Sequence, residues 1–224
     1  MVDFESALFL QERLVYEISG RSDRYGGLLI CEHPPMVTIG RDGSRSHLRC
    51  EQSEFTARMM DVRWLNRGGG CLVHGPGQLA AYPIIPLDRS DYGVVEFRDR
   101  LLLSVVDMCD EMHMHSDAVP DQGSVLCRCG QFAWTGISVK RWVSYHGLYL
   151  NVCPDMDAQR LVQTGDDDAR ITSVTANSLK PTSMNAVRER LVRHMTRQLG
   201  YHDYHVYTGH PLLKRTKKKV YDYA

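Results

Sequence analysis

No run in this 224-residue chain approaches the ~18 consecutive apolar residues that a membrane-spanning helix needs. Net charge is missing as well: 27 Lys and Arg are offset by 27 Asp and Glu, so no bulk basic field marks a nucleic-acid binder. A disulfide framework is absent, because the 7 cysteines are odd in number and irregularly spaced. No basic, apolar leader precedes Asp3, so export is not expected, and a reducing cytoplasm is the expected location. Neither an internal repeat nor a low-complexity linker divides the sequence.

What remains is 43% hydrophobic and 24% charged, enough for a real core. The expectation is one mixed α/β domain over residues 1–210, followed by a basic tail, 211–224, that carries "KRTKKK". Apolar residues at helical spacing predict helices from Phe4 to a stop at Gly20, from Val94 to His113, and from Ala186 to Gly200. "GGLLICEHPPMVTIG" predicts two short strands split by Pro34-Pro35, and Phe55 to Met60 a brief helical or irregular connection. "DVRWLNR" and "CLVHG" are expected to be two strands joined by the glycines between them. The alternation in "VLCRCGQFAWTGISVKRWVSYHGLYLNVCP" predicts antiparallel strands.

The segment "RGGGCLVHGPGQ" puts five glycines and a proline into twelve residues. Glycine permits positive φ and close approach to the backbone, so the run predicts a wall of bare peptide. It lacks the Gly-Lys-Ser/Thr ending of a P-loop and the spacing of the dinucleotide fingerprint. A slender apolar or acyl ligand, or tight turns in a β-rich core, are the readings left open.

The full string "RGGGCLVHGPGQLAAYPI" resembles the signature of the octanoyltransferases of lipoate biosynthesis, within the biotin/lipoate A/B ligase superfamily. "LLICEHPPMVTIGRDG" and "VSYHGLYLNV" are similar to two further family segments, in family order, from Phe4 to about Tyr207. The resemblance implies an α/β (α+β) fold with a mixed sheet flanked by helices. It also implies octanoyl transfer from acyl carrier protein to lipoyl domains, with no cofactor and no metal. Its acyl-contacting segments fall on Arg67, Gly68, Gly69, Gly70, Cys71, Leu72, Val73 and His74; on Trp134, Thr135 and Gly136; and on Gly147, Leu148 and Tyr149. Gly69, Gly136 and Gly147 are expected to converge on one cleft. Burying about seven methylene-type carbons at ~0.8 kcal/mol each would hold the chain at roughly 100 µM.

The family's catalytic pair does not carry over. Its cysteine lies in an Asn-Pro-Cys-Gly turn, where this chain reads "LVQTGDDDARITS" and offers Gly165 or, counted from the other side, Thr164. Its lysine, which lowers the thiol pKa, corresponds to Gln131. Asp166-Asp167-Asp168 would push a neighbouring thiol's pKa upward. Cys71, Cys127, Cys129 and Cys153 are the candidates for a relocated nucleophile, and Thr164 would need a base beside it. His74 and His146 read as bases or as backbone braces. His113 and His115 with Cys127 and Cys129 are metal-ligand types, without the Cys-x-x-Cys spacing of a zinc site. Lys140 and Arg141 could steer an acidic carrier or lipoyl domain. Three functions follow: an octanoyltransferase by descent, a non-catalytic acyl- or carrier-binding module, and an ATP-dependent lipoate or biotin ligase.

Overall fold

The Asp3 carboxylate accepts from the Ser6 N–H and opens helix α1 (Phe4–Ser19), which ends at Gly20. The structure is a computed structural model that describes residues 1–165 and 170–210. The elements that follow are β1 (Gly27–Cys31), β2 (Met36–Ile39), α2 (Gln52–Ala57), β3 (Asp61–Trp64), β4 (Cys71–His74) and β5 (Gln78–Ile84). After them come α3 (Val94–Glu111), β6 (Asp117–Val119), β7 (Ser124–Cys127), β8 (Gly130–Lys140) and β9 (Val143–Asn151). The one-turn helices α4 (Met156–Gln159) and α5 (Val174–Asn177) lead to α6 (Met184–Gln198). Among the described residues no helix is long and apolar enough to cross a membrane. The Asp166–Asp168 run and the basic tail lie outside the described residues.

Two sheets form. The larger has six antiparallel strands in the order β1-β5-β9-β8-β7-β6. The smaller has the order β3-β2-β4, with β2 parallel to β3 and antiparallel to β4. The strands expected in "DVRWLNR" and "CLVHG" form as β3 and β4 on either side of the glycine turn, but they do not pair with each other, because β2 lies between them. The mixed hydrogen bonding belongs to this small sheet.

The period of two along each strand sends alternate residues to opposite faces. On one face of the large sheet, Leu79, Ala81, Phe132, Ala133, Leu148 and Leu150 pack with Phe97, Leu101 and Val105 of α3 and Val187 and Leu191 of α6. On the other face, Ala80, Tyr82, Trp134 and Tyr149 pack with Val15 and Ile18 of α1 and with Leu72 of β4. A third cluster, on the far side of the small sheet, joins Val37, Ile39, Cys71 and Val73 to Phe55 of α2. The candidate site thus sits where the small sheet covers the α1 face of the large one.

Gly147 pairs with Gly136 across β8 and β9, yet its missing side chain serves β5. A Cβ there would strike the Ala81 carbonyl and stand 2.6 Å from Pro83 Cδ. Gly147→Ala is therefore expected to cost about 2 kcal/mol or more of unfolding free energy. Gly70→Ala, with no atom within 4 Å of the new Cβ, should leave the urea midpoint unchanged. Equal midpoints for the two variants would contradict this packing.

Candidate functional site

Arg67 lies at the centre of the site. Its side chain is fully buried, at 0% exposure, and its hydrogen bonds go to neutral acceptors. Nη1 donates to the Gly68 carbonyl at 2.9 Å, and Nη2 donates to Thr38 O and Oγ1 at 3.1 and 2.7 Å. The guanidinium carbon stands 5.5 Å from the centre of the Tyr149 ring, a buried cation–π contact.

From Thr38 a hydrogen-bond chain runs with only one consistent direction. Thr38 Oγ1 accepts from Arg67 and sits 2.8 Å from His74 Nε2; His74 Nδ1 is 2.8 Å from Gln78 Oε1. The Gln78 amide is fixed, because its Nε2 donates to Val73 O and Asn151 Oδ1. Its Oε1 must therefore accept, so His74 carries a proton on Nδ1; because burial disfavours the charged ring, Nε2 accepts from the Thr38 hydroxyl. Asn151 Nδ2 then donates to Gln159 Oε1 at 3.3 Å. This assignment leaves His74 neutral and with no free nitrogen for a proton transfer. Burial also holds its pKa well below the ordinary histidine value.

The glycine turn packs against protein. Gly68 N–H donates to Ile137 O, Gly69 N–H to Asp42 Oδ2, and Gly40 N–H to Gly70 O. Gly69 has φ +76°, the left-handed region in which a β-branched residue is strained. A Cβ on Gly136 would stand 3.0 Å from both Arg67 Cδ and Gly68 O. In this structure the turn lies against β8, and Gly136 makes room for Arg67. Only Gly70 of the three turn glycines has nothing within 4 Å of where its Cβ would stand.

Gly69, Gly136 and Gly147 do lie together, but strand alternation divides the predicted contact residues. Leu72, Trp134 and Tyr149 share the cluster between the sheets, and His74 lies against Tyr149, ring centres 5.0 Å apart. Cys71 and Val73 face the α2 cluster, and Leu148 faces α3 and α6. Those three side chains back the site from behind. The Thr135 hydroxyl donates to Gly123 O.

The two positions that resemble the family's catalytic pair are in contact. A Cβ on Gly165 (φ +80°) would stand 2.8 Å from Gln131 Oε1. The Thr164 hydroxyl instead donates to Cys71 O at 3.0 Å. Gln131 Nε2 donates to Gln122 Oε1 at 2.7 Å and Ser124 Oγ at 3.2 Å, while Oε1 accepts from Trp134 Nε1 at 3.2 Å. Burial pushes the thiols of Cys71, Cys127 and Cys153 up. Cys71 points at the Ser44 carbonyl, Cys127 at that of Gly130, and Cys129 and Cys153 are exposed.

Known proteins identify the scaffold. Residues 3–198 match the lipoyl protein ligase A/B catalytic domain family. The octanoyltransferase of Geobacter sp. (strain M21) is 36% identical over 78% of this chain and 82% of its own length. That of Geotalea uraniireducens is 33% identical over 85% and 86%. This chain belongs to the octanoyltransferase family. Its fold is that of the solved lipoate ligases. A lipoate-protein ligase A bound with ATP superposes with TM-score 0.68 at 17% identity, covering 91% of this chain and 85% of that one. The lipoate protein ligase of Thermoplasma acidophilum gives 0.67 at 17%, over 91% and 84%.

Sequence reasoning passed over Thr38, Gln78 and Asn151, although each stands inside a motif shared with the octanoyltransferases. Gln122 and Ser124, which anchor Gln131, carry no such signal.

Three histidines of this face are buried and neutral. Burial lowers the pKa of His33 to about 4 and of His146 to about 3, and that of His74 also falls. The unfolded chain takes up these protons near pH 6.5 and the folded one does not. Stability is therefore complete above about pH 6.5 and falls as the pH drops toward 4, by up to ~1.4 kcal/mol per pH unit for each histidine. Denaturant unfolding at pH 7 and pH 5 checks this, and a His146→Gln variant should show a shallower dependence. Unchanged stability between the two pH values would contradict the neutral assignment.

Proposed function

We propose that this protein acts in lipoate biosynthesis with the partners of its family, acyl carrier protein and lipoyl domains, as a cytoplasmic binding protein that makes no acyl-enzyme. In the octanoyltransferases the thioester carbonyl is attacked by a cysteine, and the acyl group then passes to a lipoyl-domain lysine. One observation carries the present reading. The side-chain position at residue 165 adjoins Gln131, and neither residue can supply a thiolate or an ammonium.

Three of the other cysteines are poorly suited to this role. Burial raises the thiol pKa of Cys71, Cys127 and Cys153, which opposes thiolate formation. An ATP-dependent ligase would share the fold, but the related ligases need a lysine where Gln131 stands.

Intact-mass spectrometry after incubation with octanoyl-acyl carrier protein tests this reading. The unmodified protein is expected to gain no octanoyl mass and to leave a lipoyl domain unmodified. The Gly165→Cys, Gln131→Lys double variant should gain a hydroxylamine-labile adduct, and either single variant much less, because the thiol needs the adjacent cation. The left-handed φ at position 165 should slow even the double variant. Octanoyl transfer by the unmodified protein, abolished by Cys129→Ser, would overturn the proposal and identify a relocated nucleophile.

A further inference from the structure

Strands β7 and β8 are joined by only two residues, Arg128 and Cys129, with Cys127 paired to Gly130 across the turn. The sequence "CRCG" thus puts two thiols on one tight turn, Cys127 at its start and Cys129 at its tip. Their surroundings differ. Cys127 is buried, with its sulfur 3.5 Å from the Gly130 carbonyl, whereas Cys129 is exposed. The backbone N–H of Cys129 lies against the Cys127 sulfur, and the two thiols are close enough for a charge on one to act on the other.

The base of the turn is fixed. A Cβ on Gly130 (φ +135°) would strike the Arg170 carbonyl, so this strand end cannot shift toward Arg170. Gln131 N–H donates to Arg170 O at 2.7 Å, and Thr172 N–H donates to Gln131 O at 2.8 Å. Any movement that joins the thiols is therefore confined to residues 127–129. A β-turn brings its ends within about 7 Å, and residues two apart inside it fall in the range of about 4.4–6.8 Å between Cα atoms that a disulfide spans.

We infer that Cys127 and Cys129 form a thiol–disulfide exchange site, which reacts with a low-molecular-weight disulfide and closes into a disulfide across the turn. The Cys129 thiolate attacks one sulfur of the small disulfide, forming a mixed disulfide and expelling one small thiol. The Cys127 thiolate then attacks the Cys129 sulfur and expels the second. Both protein thiol protons end on the released thiols, and the two electrons lost by the protein reduce the small disulfide. Exposure sets the order: burial keeps Cys127 from the first encounter and pushes its thiol pKa up, while Cys129 is open to solvent. A ring closed over one intervening residue is strained and hence readily reduced. In the reducing cytoplasm expected from the sequence, such a bond is transient and redox-sensing. The site does not rest on the binding role proposed above.

Incubation of the full chain with oxidised glutathione, then acid quench, alkylation and tryptic mapping, reads this directly. Trypsin cuts after Arg128, between the two cysteines, so the closed turn appears as two peptides joined until reductant is added. The unmodified protein is expected to lose both alkylatable thiols at this turn and to retain no glutathionyl mass there. Excess reduced glutathione should restore both. Cys127→Ser should stop with one glutathionyl group on Cys129, and Cys129→Ser should leave Cys127 reduced. Cys127→Ala serves if the buried serine prevents folding by circular dichroism.

If Cys127 and Cys129 both remain alkylatable in the unmodified protein, the inference is overturned. A stable glutathionyl group on its Cys129, with Cys127 still reduced, overturns it as well, because the buried thiol then fails to resolve the mixed disulfide. Glutathionylation of Cys127 in the Cys129→Ser variant would contradict the order of attack.

Discussion

A guanidinium held out of water needs acceptors on several sides, and the Arg67 side chain imposes that requirement on everything near it. Taking such a charge out of water costs several kcal/mol unless it is hydrogen-bonded. Thr38 of the small sheet, the Gly68 carbonyl of the turn and the Tyr149 ring of the large sheet supply the compensation. Because those groups belong to three different pieces of chain, satisfying Arg67 also fixes how the two sheets stack. Gly136 follows from the same need, since a side chain there would press on Arg67 Cδ and on Gly68 O.

The polar residues of the shared motifs acquire a common meaning from this. Thr38, Arg67, His74, Gln78 and Asn151 stand on β2, the glycine turn, β4, β5 and β9, yet they form one directed chain of donors and acceptors. Replacing a member would strand a buried neighbour at about 1–3 kcal/mol. His74 is held neutral by its burial. A histidine beside a glycine-rich loop invites a catalytic reading, but here both its nitrogens are committed to holding strands β2 and β5.

Helices α1, α3 and α6 were legible because each needs only its own 3.6-residue pattern and a stop signal. The pairing of β2 between β3 and β4 was not, since parallel partners are set by long-range stacking and leave no local mark. Triple glycine was ambiguous for a similar reason. Absence of a Cβ reads the same whether a ligand or the protein's own backbone fills the space, and Gly147 makes room for Ala81 and Pro83. Strand alternation was the unused signal: counted from Leu72, it sends Cys71 and Val73 away from the cleft. The proposed loss of the dyad was drawn from the letters alone, but the neighbours of Gln131 lie on β7 and in the turn before it and could not be read from spacing.

On the proposed reading, glycine at 165 and glutamine at 131 form one structural departure from the family pattern. With Gln131 bonded to Gln122, Ser124 and Trp134, its oxygen occupies the place that a side chain at 165 would enter. A cysteine there would press against a polar group held by three hydrogen bonds, with φ in the left-handed region as well. Glycine removes both penalties at once. Conversely, a lysine at 131 could not accept the indole N–H, so Trp134 would lose the partner that keeps it in the cleft. On that reading, position 165, position 131 and the indole are coupled through a single amide oxygen, and restoring the chemistry means breaking the hydrogen bonds of Gln131.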